Sequence, residues 1–193
     1  MLKIVTNFYT YFWILTSLIL LFYYYKRKEL IFLWLKRLII FWPIITFAQL
    51  VTTNLVIYFS WRNNRFLRHL LPPESNYLFE SIKNYDFSSY FATLIISFFI
   101  GATLLIVAKK SQEKFLKYSE VDLIFLGCLI VSWSNIIVFI FSSFIFNFLA
   151  YLVLLATRKI KSSDIIFVAP YVLLAIIFTL LIGYKLSYLT GLY

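Results

Sequence analysis

Glycine, proline, cysteine, histidine and charge are all scarce in this sequence. Four glycines and four prolines stand among 193 residues. The single cysteine, Cys128, lies in an apolar run, which excludes a disulfide within the chain and a cysteine-based metal cluster. The single histidine, His69, excludes a haem or zinc site built from several histidines of this chain. There is no Gly-rich phosphate loop, no Ser/His/Asp set and no dinucleotide fingerprint. No metal and no cofactor is therefore expected. Charged residues make up 13% of the chain, too few to clothe a soluble domain of this length.

What is abundant is apolar and aromatic: 63% of the residues are hydrophobic and 22% carry an aromatic ring. This composition predicts that the solvent for most of the chain is lipid. Membrane helices usually pack through Gly and Ala, yet here Phe, Tyr and Ile together supply 63 of the 193 residues. Phe, Tyr, Ile, Lys and Asn use AT-rich codons, so the bias points to an AT-rich genome. The expected location is the plasma membrane of an AT-rich bacterium, with the inner membrane of an AT-rich organelle as the alternative.

The apolar runs predict an all-α polytopic membrane protein of about six transmembrane helices, one domain without repeats or linkers. The expected spans are residues 4–25, 38–61, 87–108, 122–133, 135–157 and 165–184. The first has 22 uncharged residues, enough to cross a hydrocarbon core of ~30 Å. Its aromatic ends suit a retained span with interfacial belts better than a cleaved signal peptide. Leu30 to Leu35, bracketed by basic residues, reads as a short interfacial helix. Pro43 lies one turn inside the second span and is a candidate kink. Pro72-Pro73 ends any helix before it, and Ser75 to Tyr85 reads as a surface or dipping segment. The uncharged run Leu123 to Thr157 is too long for one span, and the polar notch Ser132-Trp133-Ser134-Asn135 is the expected turn between two.

The net charge is +10, and it sits in loops. With six spans, twelve of the eighteen basic residues fall on one face: Lys26, Arg27, Lys28, Lys36, Arg37, Lys109, Lys110, Lys114, Lys117, Arg158, Lys159 and Lys161. The positive-inside rule makes that face cytoplasmic, against anionic lipid headgroups. Arg62, Arg65 and Arg68 run against the rule on the opposite side. A nucleic-acid partner is not expected, because that role needs a basic surface outside the bilayer.

Few polar residues are candidates for chemistry. Glu120 and Asp122 stand at the mouth of the fourth span, where acids are costly and often functional. Two residues apart, they diverge by ~200° on a helix. They also suit a helix N-terminus, where the dipole favours acids and Ser119 could cap. His69, with Arg65, Arg68 and Glu74, could relay protons or simply form an interfacial loop. Asn147 could bond across helices or pack. Tyr118 and Asn147 join His69 as candidates for a polar path or a subunit contact.

Residues Ile57 to Ala175 resemble the prepilin peptidases, the GxGD-type membrane aspartyl peptidases that trim type IV pilin leaders. Three segments carry the likeness. Tyr58-Phe59-Ser60-Trp61-Arg62-Asn63-Asn64-Arg65 is similar to the family's Asp-x-Arg and basic turn, with Ser60 at the Asp position. Gly101-Ala102, the basic loop and Ser119-Glu120-Val121-Asp122 are similar to its Gly-Ala span, basic loop and Gly-x-Gly-Asp. Ile166-Phe167-Val168-Ala169-Pro170 is similar to its Pro-Phe-Gly-Pro. Ser60 and Asp122 stand 62 residues apart, about the family's spacing of its two aspartates. The resemblance implies Asp122 as a catalytic residue, Ser60 where its partner Asp is missing, and Glu120 as a possible substitute. It implies an aspartyl endopeptidase kinship with a broken dyad and weak or no activity, and a pilin-type leader helix as partner. It also requires Ser60 and Asp122 to meet on the cytoplasmic side.

Ser97 to Leu129 also resembles subunit 2 of the respiratory NADH dehydrogenase, on Lys117-Tyr118-Ser119 ahead of an apolar helix. That likeness, with the lack of a self-contained site, implies a non-catalytic subunit of an energy-transducing complex whose partners are other membrane subunits. A third reading, a small carrier, needs discontinuous helices and polar mid-membrane residues. Gln49, Asn54 and Asn147 are its candidates.

Overall fold

With helix breakers so rare, the helices run long. In the computed structural model the described residues are 2–26, 28–72, 74–114, 116–158 and 168–189, and their regular structure is helical throughout. The helices are α1 (Leu2–Lys26), α2 (Lys28–Arg62), α3 (Tyr77–Ser81), α4 (Ser88–Lys110), α5 (Tyr118–Val131), α6 (Ile136–Ala156) and α7 (Ala169–Leu189). A π-helical stretch, Ile82–Phe87, joins α3 to α4, and a 3₁₀ turn, Trp133–Asn135, joins α5 to α6. Arg27, Pro73, Lys159, Lys161 and the expected start of the last span at 165–167 lie outside the described residues.

The architecture is that of a helical membrane protein. Among the described residues four segments are long and apolar enough to cross a membrane: Asn7–Lys26, Leu33–Arg62, Tyr77–Lys110 and Trp133–Ala156. Ala169–Gly183 is a shorter apolar helix.

The segment expected as a span at 122–133 forms the 14-residue α5, about 21 Å of rise against a core of ~30 Å. It stops because Ser132 takes φ 67° and ψ 158°, a backbone from which no α-helix continues. The interfacial helix expected at Leu30 to Leu35 is instead the start of α2. Nothing from Lys28 to Trp42 breaks a helix, and Ile31 and Leu35 are buried in the core. The segment expected at Ser75 to Tyr85 to lie on the surface or dip into the membrane is, from Tyr77 on, continuous with α4, because a π-turn absorbs the junction and Leu78 is buried. Pro43 does not interrupt α2.

α5 is the centre of the bundle, with α2, α4, α6 and α7 packed around it. Its residues Val121, Leu123, Leu126, Cys128, Leu129 and Val131 are buried, and so are Val172, Leu173, Ala175 and Ile176 of α7. α1 closes the bundle against α2 and α7. Phe139 of α6, fully buried, lies over Gly127 of α5, where a Cβ would meet its ring at 2.4 Å. The outer faces carry Ile95, Phe98 and Phe99 of α4 and Phe141, Phe144 and Phe148 of α6, all exposed. Apolar side chains on that scale suit hydrocarbon and not water.

Adjacent helices run antiparallel. Tyr9 of α1 reaches Thr52 of α2 at 3.3 Å, and Phe146 of α6 meets Phe178 of α7 with ring centroids 5.5 Å apart. The end of α1, the start of α2, the end of α4, the start of α5 and the start of α7 therefore share one end of the bundle. Lys26, Lys36, Arg37, Lys109, Lys110 and Lys117 sit at that basic end. The loop with Arg62, Arg65 and Arg68 lies at the other.

Candidate functional site

Polar residues recur on the inner faces of three otherwise apolar helices. In α4 and the π-turn before it they are Asp86, Ser89, Tyr90 and Thr93, at positions i, i+3, i+4 and i+7, one face of a helix. In α2 the stripe is Trp42, Thr46, Gln49 and Thr53, and in α1 it is Tyr9, Thr10 and Trp13. The structure turns these stripes toward one another around a cavity of about 280 Å³. Leu129, Ile130 and Ser132 at the end of α5 line it, with Leu180 of α7. The space exists because α5 stops partway along α4 instead of running its whole length.

The walls are ordered by hydrogen bonds and ring contacts. The Thr93 hydroxyl donates to the Ser89 carbonyl at 2.8 Å and accepts the Trp133 amide at 3.0 Å. Thr93 is only 3% exposed, so this bond ties the turn after α5 to the inside of α4. Ser132 Oγ lies 3.4 Å from the same hydroxyl. The Trp42 and Tyr90 rings stack with centroids 5.4 Å apart and planes 9° apart. Asn54 Nδ2 donates to Asp86 Oδ2 at 2.9 Å and to the Leu50 carbonyl at 2.8 Å. Strained backbone at Ser132 and a π-turn at Asp86 are features that cluster at functional sites.

The residues singled out from sequence lie elsewhere, and the structure does not assemble them. Asp122 stands beside Lys36 at the basic end. Ser60 is exposed near the far end of α2, 24 residues and about 36 Å of helix from Lys36. The expected meeting of Ser60 with Asp122 is thus corrected: one continuous helix holds them at opposite ends. Glu120 is 5% exposed, and both its oxygens are engaged by backbone: Oε2 accepts the Lys117 amide at 3.0 Å and Oε1 the Val168 amide at 2.7 Å. It ties the start of α7 to the start of α5 and does not substitute in a dyad.

Asp122 is half-buried in the first turn of α5. His69 pairs with Glu74 on the exposed loop at the far end. Tyr118 is exposed at the basic end, and Asn147 lies midway along α6, its Oδ1 buried without a hydrogen-bond partner among the described residues. These three form no continuous polar path. Cys128 is buried beneath the surrounding helices. Among the described residues no cluster of His, Cys, Asp and Glu could hold a metal ion.

Sequence reasoning picked out Gln49 but missed the stripe it belongs to, and it picked out Asn54, which lies outside the lining and holds Asp86. The signal was the helical spacing of uncharged polar residues within apolar runs, which a search for charged groups passes over. No family model, no curated protein and no solved structure matches this chain.

Proposed function

We propose that this chain binds a small solute in the cavity among α1, α2, α4 and α5, and acts as a membrane carrier for it. The observation that supports the reading is the convergence of the three polar stripes on one space. Polar groups turned inward within membrane-spanning helices are costly unless they have work to do. A helix that ends inside the bundle is also how many carriers build a substrate site. On this reading the chain crosses the membrane six times, with α5 and the turn after it making a shortened pass. The basic end faces the cytoplasm and its anionic headgroups, which puts the cavity in the half of the membrane farther from the cytoplasm. The prepilin-peptidase kinship gains no support from this geometry, because an aspartyl peptidase needs two carboxylates sharing one proton.

The test uses the full chain in lipid nanodiscs and a panel of small cationic, neutral and anionic solutes. Trp13 and Trp42 line the cavity and report binding through their fluorescence. At least one solute should give a saturable change, and Ser89→Leu, which fills the cavity, should remove it. Silence across the panel, or equal binding by the filled variant, would refute the reading.

A further inference from the structure

The charge of the cavity narrows its ligand. The chain carries 18 lysines and arginines, yet none of them lines this space among the described residues. Among the described residues the one charged group in the lining is the Asp86 carboxylate. It is half-buried, Oδ2 takes the Asn54 amide, and among the described residues no lysine or arginine lies within ion-pair distance of it. Lys83, one turn earlier, is exposed. A carboxylate at a membrane cavity without a counter-charge makes a site of negative potential, strengthened by the low dielectric around it.

The other walls select among cations. A divalent metal ion wants several carboxylate or carbonyl oxygens, and the lining offers a single carboxylate. The aromatic residues Trp13, Trp42 and Tyr90 instead suit an alkylated ammonium, which ring faces attract and which has a modest cost of dehydration. The hydroxyls of Thr46, Thr53 and Ser89 can accept or donate to a polar substituent. At about 280 Å³ the cavity falls just below the range for drug-sized ligands, so the molecule is small. We infer that the cavity among α1, α2, α4 and α5 binds a small organic ammonium ion, its charge held by Asp86 and its alkyl groups against the Trp42–Tyr90 pair. This rests on the solute-binding reading above and names the class of solute.

The experiment titrates the full chain in nanodiscs with choline and with 3,3-dimethyl-1-butanol, its neutral isostere, following tryptophan fluorescence. Choline should bind at least tenfold more tightly than the isostere. Asp86→Asn, which keeps an oxygen for Asn54, should lose that preference while its thermal midpoint stays within a few degrees of the parent's. Equal binding of choline and isostere by the unmodified chain would overturn the ammonium assignment and leave the solute-binding reading standing. An undiminished preference in Asp86→Asn would overturn the assignment of the charge to Asp86. Absence of binding by every member of the wider panel would remove both. The comparison of two ligands on the unmodified chain does not depend on any variant folding.

Discussion

Glu120 Oε1 accepts the backbone amide of Val168 at 2.7 Å, across 48 residues of chain. Its other oxygen takes the Lys117 amide at the start of its own helix. One buried carboxylate thus serves two helix N-termini, where unsatisfied amides and the helix dipole both favour a negative charge. The acid that the sequence offers for catalysis is used to hold α5 and α7 together at the basic end.

Glu120→Ala should therefore destabilise the chain by about 2–4 kcal/mol, since it leaves two amides unpaired in a buried place. Glu120→Gln keeps an acceptor oxygen and should cost roughly half as much. Thermal unfolding in nanodiscs measures both, and faster hydrogen exchange at the Val168 amide should accompany the loss. An unchanged Val168 exchange rate in Glu120→Ala would show that the staple holds nothing.

Gly127 is required by Phe139. A methyl at position 127 would sit 2.4 Å from the ring, which is fully buried. Gly127→Ala should lower stability by about 1–3 kcal/mol, the usual range for overpacking. Adding Phe139→Leu should recover part of that loss, because the clash is with the ring itself. A double variant no better than the single one would place the strain elsewhere.

Ser132 stands at φ 67° and ψ 158°, a backbone that glycine adopts far more readily than other residues. Ser132→Gly should therefore raise stability by about 1 kcal/mol through relief of strain. It gives up only the 3.4 Å contact with Thr93. The Thr93–Trp133 bond remains, so the end of α5 and the cavity should be preserved. A drop in thermal midpoint would mean that the Ser132 hydroxyl outweighs the strain.

Membrane character was legible from the sequence because it depends on composition and on the length of apolar runs, which are local properties. The turn at Ser132 to Asn135 was legible for the same reason, as a polar notch in an uncharged run. The boundaries of α2 and α4 were not. Basic residues at Lys36-Arg37 and the polar stretch Ser75 to Tyr85 look like interfacial pieces in isolation, but the helix continues wherever nothing breaks it and an apolar residue finds the core. The relation of Ser60 to Asp122 was misread because spacing along the chain carries no direction. Whether two residues 62 apart meet depends on which end of which helix each occupies.

The sequence by itself determined that this chain lives in lipid, that it is helical, and that its basic loops gather on alternate connections. Apolar transfer and backbone hydrogen bonding act residue by residue, so composition and order suffice for that much. Only the tertiary structure decided that the stripes of α1, α2 and α4 face one another, that α5 ends among them, and that Asp86 is, among the described residues, the one charge on the space they leave. Those facts depend on helix rotation and on the depth at which α5 stops. Both are settled by contacts such as Gly127 with Phe139 and Thr93 with Trp133, between residues that local sequence does not place together.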